Sequence, residues 1–474
     1  MPASKDNARS RSHQRVVPPS FQGVAKRALD LSQINLNDEF QHALDFIERQ
    51  GQSVFLTGKA GTGKSTFLHY LREKTAKATV VLAPTGVAAL NVGGQTIHSF
   101  FQFPPTIVDP QSIRRRKNPK LFQKLQTLII DEVSMVRADV MDAVDTALRI
   151  QRDNRSTPFG GVQVVLCGDL FQLPPIVRDG DMKAFFEEQY GGPYFFLAHV
   201  FDELRPYVLE LTTIYRQRDE TFIRVLNKIR EHDLDAELFA LLNARVQRTG
   251  TGLQESSFIT LTTTNEAALR KNQACLDQIN TKLYSYPASV TGLFDPAAFP
   301  TEAVLALKRG AQVMMMKNDP EKRWVNGSLG RVSALTEKKV SVDIAGLSYD
   351  VDPETWQNIQ YHYNRETNRI EEEVVGTFTQ YPLRLAWAIT IHKSQGQTFD
   401  KVLIDLGRGA FAHGQTYVAL SRCTSLEGVV FSRPVTARDI LFDQRVYGYT
   451  RVFPPAPRSH TRILLPPAAP GSHH

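Results

Sequence analysis

The chain reads as an α/β protein in which parallel sheets are wound by helices, and three observations lead there. Short apolar runs alternate with helical patterns along most of the length. The early runs end in loops rich in Gly, Thr, Asp or Gln, as strands of an open parallel sheet do where their carboxyl ends face a ligand. A complete phosphate-binding loop, Gly58-Lys59-Ala60-Gly61-Thr62-Gly63-Lys64-Ser65, stands between the apolar run Val54-Phe55-Leu56 and the helical start Thr66-Phe67-Leu68.

Composition narrows the class. With 474 residues, 42% of them hydrophobic, the chain has the length of about three domains and enough apolar content for ordinary cores. No apolar run is long enough to span a bilayer, so a soluble protein without a membrane partner is expected. Cys167, Cys275 and Cys423 lie far apart without metal-ligand spacing and read as reduced thiols. Reduced thiols fit a cytosolic chain, and the expected compartment is the cytoplasm, nucleoid-associated, if the chain is bacterial, with nucleus or mitochondrion left open. The formal net charge of +7 suits a polyanionic partner without demonstrating one. Residues 1–24, with Lys5, Arg9, Arg11 and Arg15 among Ser, Asn, Gln and Pro, are expected to form a disordered basic tail; Asp6 and the missing apolar face speak against a transit peptide. The stretch 454–474 reads as a Pro-rich tail ending in Gly471-Ser472-His473-His474, which has the look of an expression remnant.

In the phosphate loop, small residues at Gly58, Ala60, Gly61, Thr62 and Gly63 let backbone N–H groups close around a triphosphate. The following helix adds its N-terminal partial charge, Lys64 reaches the β and γ oxygens, and Ser65 can ligate magnesium. The next strands are expected at Thr79-Val80-Val81-Leu82-Ala83, Leu128-Ile129-Ile130 and Val162-Gln163-Val164-Val165-Leu166. Their loops, Pro84-Thr85-Gly86, Asp131-Glu132 and Gly168-Asp169-Leu170-Phe171-Gln172, should converge on the nucleotide. Asp131 is placed to hold magnesium directly or through water, and Glu132 to orient and deprotonate the attacking water. Two acids capping a helix that begins near Ser134 are the plain alternative. Gln172 has an amide able to report a γ-phosphate, or else simply turns the chain before Pro174-Pro175.

A second alternating region starts near Tyr207 and continues through Phe258-Ile259-Thr260-Leu261, Leu385-Ala386-Trp387-Ala388-Ile389-Thr390 and Lys401-Val402-Leu403-Ile404-Asp405-Leu406, without a phosphate loop of its own. It offers Arg216 and Arg422, guanidiniums beside element ends that can meet phosphate across a cleft, although each taken singly is more often a surface ion pair.

In order, these segments carry a resemblance. Gly58 to Thr66, Ala83-Pro84-Thr85-Gly86, Gly94-Gln95-Thr96-Ile97-His98-Ser99-Phe100, Asp131-Glu132-Val133-Ser134-Met135, Gly168 to Pro175, Tyr215-Arg216-Gln217, His392-Lys393-Ser394-Gln395-Gly396-Gln397-Thr398 and Tyr417-Val418-Ala419-Leu420-Ser421-Arg422 resemble the ordered motif set of superfamily-1 helicases. The segments from Met141 to Arg152 and from Pro158 to Gln163 resemble the signature of the petite-integration-frequency (PIF) branch, superfamily 1B, relatives of the RecD helicases. The motifs run from about residue 35 to 432.

The resemblance implies two RecA-like parallel-sheet domains, 1A over 25–206 and 2A over 207–324 and 382–453, with ATP and Mg2+ between them. Lys64, Ser65, Thr66, Asp131, Glu132, Gln172, Arg216, Gly396 and Arg422 would line the ATP site, with both arginines entering from the second domain. Gln41 would recognise adenine, although its setting in Asn37-Asp38-Glu39-Phe40-Gln41 departs from the commoner spacing. Two insertions are implied: a wedge, 1B, at about 104–120 with Arg114-Arg115-Arg116-Lys117, and a small β-barrel of Src-homology-3 type, 2B, at 325–381. The alternation of Lys339 to Ile344 and Val374 to Phe378 independently reads as short barrel strands, and the basic run reads equally well as a solvated loop.

On the nucleic-acid side, Thr85, Thr96, His98 and Ser99 offer donors to phosphates and Phe100 a ring to an unstacked base, though Phe100, Phe101 and Phe103 suit a core equally well. Thr263, Asn265, Thr390, His392 and Lys393 match family positions near the strand backbone. The implied activity is that of an ATP-dependent DNA helicase translocating 5′ to 3′ on single-stranded DNA in genome maintenance. Its expected partners are single-stranded DNA and forked or tailed duplexes, with quadruplexes and DNA–RNA hybrids left open, and the chain is expected to be a monomer. Two alternatives stand beside it: a single-strand-stimulated translocase that strips bound proteins without processive unwinding, and a nucleotide-gated switch with slow hydrolysis.

Overall fold

A computed structural model describes residues 37–177, 180–217, 219–246, 258–451 and 462–464. Its first sheet contains β1 (Val54–Gly58), β2 (Thr79–Ala83), β3 (Gln95–Thr96), β4 (Thr127–Ile130), β5 (Gln163–Cys167) and β6 (Tyr207–Leu211), parallel in the order β6-β1-β5-β4-β2-β3. β4 and β5 are buried at every residue, and β1 and β2 at all but one, so these strands are continuous apolar runs rather than alternating ones. The helix Ala138–Arg152 lies largely buried against this sheet and carries three buried carboxylates. Each accepts backbone N–H groups: Asp139 from Val108, Asp142 from His199 and Val200, Asp145 from Phe159. A second parallel sheet runs in the order Ala388–Thr390, Ile259–Thr262, Val402–Asp405, Val429–Phe431. Among the described residues no helix is long and apolar enough to cross a membrane.

Four expectations are corrected. The strand at Tyr207 does not open the second fold: Leu209 pairs with Leu56, so β6 extends the first sheet beside β1 and the chain changes sheets after it. Leu385 to Thr390 is two strands. Leu383–Leu385 ends one sheet and Ala388–Thr390 begins another, because Gln312 holds the Ala386 backbone from one side while Asn272 donates to and accepts from the Ala388 backbone on the other.

The insertion begins well before residue 325 and is not one sheet. Antiparallel pairing starts at Leu283–Pro287 with Val304–Lys308. Five strands, Gln312–Met315, Leu329–Leu335, Val340–Ile344, Leu347–Val351 and Leu383–Leu385, form an antiparallel sheet over a core with Val313, Met315, Val332 and Val342. The long hairpin Glu354–Asn364 with Arg369–Gln380 pairs instead with Ser289–Gly292. Val340–Ile344 and Val374 to Phe378, read above as one barrel, therefore lie in different sheets. The hairpin also touches the first sheet, where the Val81 N–H donates to the Tyr361 hydroxyl at 3.3 Å, and the helix Lys64–Lys74, where Arg72 pairs with Glu372.

Part of the Pro-rich stretch is not a tail: Arg462–Leu464 runs antiparallel to β6 at the sheet edge. The 1–24 tail and residues 465–474 lie outside the described residues. The 104–120 segment contains the short turn Pro110–Ser112 and is tied to the Ala138–Arg152 helix, Arg116 N–H donating to Gln151 Oε1 at 2.9 Å and Gln151 Nε2 to the Arg114 carbonyl at 3.0 Å. Of its basic run, Arg116 is engaged, bonded to the Phe100 carbonyl and stacked 4.8 Å from the Phe122 ring centroid.

Gly94 leads into β3 where the chain has no room for a side chain, since a Cβ there would lie 2.3 Å from the Val81 carbonyl oxygen of β2. Gly94→Ala is expected to lower unfolding stability by about 1–3 kcal/mol, the usual range for overpacking. Urea denaturation measures it, and an unchanged midpoint would mean that β2 and β3 separate more easily than described.

Candidate active site

The loop after β1 turns through glycines with positive φ, Gly58 at 150°, Gly61 at 84° and Gly63 at 84°. A Cβ at Gly61 would sit 2.6 Å from the Cβ of Arg216, so the segment after β6 packs directly on the loop. Lys64 Nζ donates to the carbonyls of Gly58 at 2.7 Å and Lys59 at 3.0 Å, and the buried Thr62 hydroxyl also donates to Lys59 at 3.0 Å. Ala60 is buried, while Ser65 is exposed and Thr66 half-buried on the first turn of the helix Lys64–Lys74. Gln41 is exposed on the helix Asp38–Asp45, which is anchored by buried Glu39 accepting from the Thr212 N–H at 3.1 Å.

Asp131 and Glu132 follow β4. Glu132 adopts φ 50°, an uncommon backbone for a residue with a Cβ, and its N–H donates to the Asp131 carboxylate at 2.9 Å. Burial raises the pKa of Asp131. It raises that of Glu132 to about 7, with the Asp131 charge as the next cause. Glu132 Oε2 accepts from Gln395 Nε2 at 3.0 Å, and the same amide lies 3.3 Å from Gln172 Oε1. Gln395, which the residue-by-residue reading passed over, thus joins the acid after β4 to the amide after β5. Gly396 beside it is exposed with φ 80°.

Arg422 is 1% exposed, at the end of the helix Gln415–Ser421. Its guanidinium donates to the Val418 carbonyl at 3.0 Å, the Gln397 carbonyl at 3.4 Å and Ser421 Oγ at 2.8 Å. Burial, and then the Arg216 charge, lower its pKa; burial lowers that of Arg216, which donates to the Ser421 carbonyl at 3.2 Å. The Arg216 charge thus disfavours that of Arg422, and both guanidiniums interact electrostatically with Glu132, an arrangement that an anion relieves.

A further group escaped the sequence reading. The buried Tyr417 hydroxyl accepts the Ala60 N–H at 3.1 Å and donates to Asp169 Oδ2 at 3.3 Å. Asp169 Oδ1 lies 3.7 Å from Arg230, whose guanidinium is 4.2 Å from the Phe171 ring centroid. Nothing local in the helix Glu220–Glu231 marks Arg230, because its meaning lies in a carboxylate sixty-odd residues earlier in the chain.

Among the described residues no three His, Cys, Asp or Glu side chains gather as a metal site. The exposed Ser65 hydroxyl and the Asp131 carboxylate suit Mg2+, which takes one or two protein oxygens and completes its shell with phosphate and water.

The residues expected to meet nucleic acid sit at element ends. Thr85 and Thr96 cap the helices Gly86–Val92 and Ile97–Phe101, accepting N–H groups of Ala88 and Ser99 at 3.2 Å each. Ser99 Oγ accepts from Gln95 at 2.8 Å. Thr390 is buried and accepts the Lys393 N–H at 3.2 Å, Lys393 and Asn265 are exposed, and Thr263 is half-buried. Burial lowers the pKa of both His98 and His392, so both favour the neutral imidazole. Phe100 is corrected: it is 3% exposed, its ring packed edge-on to Phe101, Phe122 and Tyr361, and it offers no free face to a base.

A family model described as PIF1-like helicase matches residues 35–238. The chain is 34% identical to the mouse ATP-dependent DNA helicase PIF1 over 86% of its own length and 61% of that protein. It is 30% identical to the ATP-dependent DNA helicase Pif1 of Bdellovibrio bacteriovorus, over 91% of its own length and 95% of the relative. The chain belongs to the PIF1-like helicases. Among solved structures of the family, Pif1 from Bacteroides in complex with ADP-AlF4 is 39% identical, with a TM-score of 0.82 over 88% of this chain and 96% of that one. The same Bacteroides protein bound to single-stranded DNA gives 0.64 over 88% and 97%. The PIF1-like chain spans about three fifths of the length of its mouse, rat and human relatives.

The Glu132 environment has a measurable consequence for stability. With a folded pKa of about 7 against an ordinary 4.5, the folded PIF1-like chain keeps a proton that the unfolded chain has lost. This group therefore favours folding less as pH rises through that window, and the full penalty applies above it. Glu132→Gln should exceed wild type in unfolding free energy near pH 8 by roughly 1–3 kcal/mol, read by urea denaturation, and the gap should close toward about pH 5. A gap independent of pH would show that the carboxyl titrates as an ordinary one.

Proposed function

We propose that this chain is an ATP-dependent DNA helicase that translocates 5′ to 3′ on single-stranded DNA and opens tailed or forked duplexes in genome maintenance. The observation that carries the reading is the Gln395 bridge between Glu132 and Gln172, two and three residues along the chain from Lys393 and His392. It links the candidate hydrolytic base to the segment expected to hold the strand. The names of the PIF1 relatives and the Bacteroides complexes with ADP-AlF4 and with single-stranded DNA support it.

In this reading Gly58 to Thr66 cradle the triphosphate, Lys64 contacts the β and γ oxygens, and Ser65 and Asp131 hold Mg2+. The metal supplies charge neutralisation of the phosphates when bound. Glu132 takes the proton of the attacking water, Gln172 orients the γ-phosphate, and Arg216 and Arg422 stabilise the charge of the transferring group. Thr85, Thr96, His98, Ser99, Thr263, Asn265, His392 and Lys393 grip the strand backbone, so recognition is sequence-tolerant, while Thr390, expected to join them, is buried and instead sets the Lys393 backbone. With both histidines favouring the neutral form, their part is hydrogen bonding, and Lys393 carries the charge. We take the chain to act as a monomer in the compartment that holds the genome, with quadruplexes and hybrids as further substrates to compare. The polarity comes from the family resemblance.

A second reading, translocation that strips proteins without processive unwinding, is favoured by one feature. The 104–120 segment is fastened to the first-sheet helix through Gln151 instead of standing as a separate wedge. Strand displacement decides between them. With ATP and magnesium, a duplex with a 5′ tail should open while blunt and 3′-tailed duplexes stay closed. ATP turnover stimulated by single strands without any displacement would establish the second reading, and faster opening of the 3′-tailed duplex would overturn the polarity.

Single substitutions test the residue roles. Glu132→Gln should retain ATP binding and lose about 100-fold or more in turnover, the scale of acid–base catalysis. Arg422→Ala and Arg216→Ala should each cost about 10³-fold, the low end for arginine fingers, with single-strand binding kept. Loss of DNA affinity without nucleotide in either arginine variant would remove it from the phosphate site.

A further inference from the structure

We infer that His413 is a positioning residue for ATP turnover, holding the 169–172 turn so that the Gln172 amide meets the γ-phosphate together with Arg422; the inference rests on the role proposed for Gln172 above. Both nitrogens of this buried ring are engaged. Nδ1 accepts the Asp443 N–H at 3.1 Å, and Nε2 lies 3.3 Å from the Leu170 carbonyl oxygen. A carbonyl can only accept, so the proton sits on Nε2 and the imidazole is neutral. Burial lowers the pKa of His413, in keeping with that form.

The bond to Leu170 falls where it decides the course of the turn. Gln172 N–H donates to the Asp169 carbonyl at 3.0 Å, and Phe171 N–H to Asp169 Oδ1 at 3.2 Å. The peptide between Leu170 and Phe171 is therefore held at both ends, its N–H by Asp169 and its oxygen by His413. Rotating that peptide would swing the Gln172 side chain, whose amide donates to Asp169 Oδ2 at 3.4 Å and accepts from Gln395 at 3.3 Å. The next two carbonyls are confined as well, since a Cβ on Gly414 would lie 2.3 Å from the Phe171 oxygen and 2.4 Å from the Gln172 oxygen.

What holds the ring also connects it to the arginine. His413 stands two residues before the helix Gln415–Ser421, and Arg422 directly after it. On the other side of the ring Asp443 is itself fixed, its carboxylate accepting from the Tyr194 hydroxyl at 2.8 Å and pairing with Arg445 at 2.7 Å. The helix is short and buried throughout, so a shift that carries Arg422 toward a phosphate also carries His413, and with it the Leu170 carbonyl. Placing Gln172 and placing Arg422 thereby become one event.

The test is steady-state ATP turnover of the full chain with saturating oligothymidylate, in variants that separate the two bonds of the ring. His413→Asn puts an oxygen where Nδ1 was, keeping the bond from Asp443 while falling short of Leu170. Its kcat should drop about 10- to 100-fold, the scale on which a misplaced group slows a reaction, with KM for ATP little changed. His413→Gln puts its amide nitrogen where Nε2 was, restores the donor to Leu170 and should recover most of the wild-type kcat. In a Gln172→Ala background His413→Asn should cost less than about twofold, because the amide it positions is gone. Wild-type turnover in His413→Asn, equal losses in the Asn and Gln variants, or losses that multiply in the double variant would overturn the inference. Wild-type turnover in Gln172→Ala alone would instead overturn the role of Gln172 beneath it, and the inference with it.

Discussion

The hydroxyl of Tyr417 stands where the phosphate loop meets the second parallel sheet, and the rest of the cleft is arranged around it. It accepts from the Ala60 N–H and donates to Asp169, so a buried phenol has both its needs met. Asp169 also takes the Phe171 N–H at 3.2 Å and the Gln172 amide at 3.4 Å, and sits beside Arg230. Losing one member leaves a buried carboxylate or guanidinium without compensation, which costs more than the bond itself is worth. The docking is tight: the helix Gln415–Ser421 is buried throughout, and a Cβ on the preceding Gly414 would lie 2.3 Å from the Phe171 carbonyl oxygen.

Charge is distributed unevenly across the cleft. On one side burial raises the pKa of Asp131, and burial followed by the Asp131 charge raises that of Glu132; on the other, burial followed by the Arg216 charge lowers that of Arg422. Neither pair satisfies itself. The Arg422 guanidinium spends its hydrogen bonds on carbonyls and a hydroxyl, and Lys64 spends its on loop carbonyls. A polyphosphate between these cations would exchange weak neutral acceptors for charged ones, and charge-assisted bonds are roughly twice as strong. In that light, what binds in the cleft is also what completes it.

Local chemistry was legible in the chain, and long-range pairing was not. The phosphate loop, the strands before it and after it, and the acid pair all follow from short windows, because parallel strands buried on both faces are uniformly apolar and their loops carry the polar residues. Tyr207–Leu211 looked like a new beginning since nothing in its own residues says that it pairs with a strand some 150 positions earlier. Phe100 could not be told from a platform by spacing; its burial depends on Phe122 and on Tyr361 of a distant hairpin. The insertion was read too short because Leu283–Pro287 and Val304–Lys308 are exposed at several positions, and Arg230 was invisible without Asp169.

The two-residue passage at Ala386 and Trp387 carries a mechanical consequence. It joins the edge of the antiparallel sheet at Leu385 to the edge of the parallel sheet at Ala388. Both ends are clamped, by Gln312 on one side and Asn272 on the other. A link so short and so held leaves little slack between the two sheets. Thr390 fixes the Lys393 N–H, and Gln395 beyond it touches Glu132. The inserted sheet is therefore coupled to the candidate cleft by a short bonded path that runs through the core residues Ala386, Ile389 and Ile391.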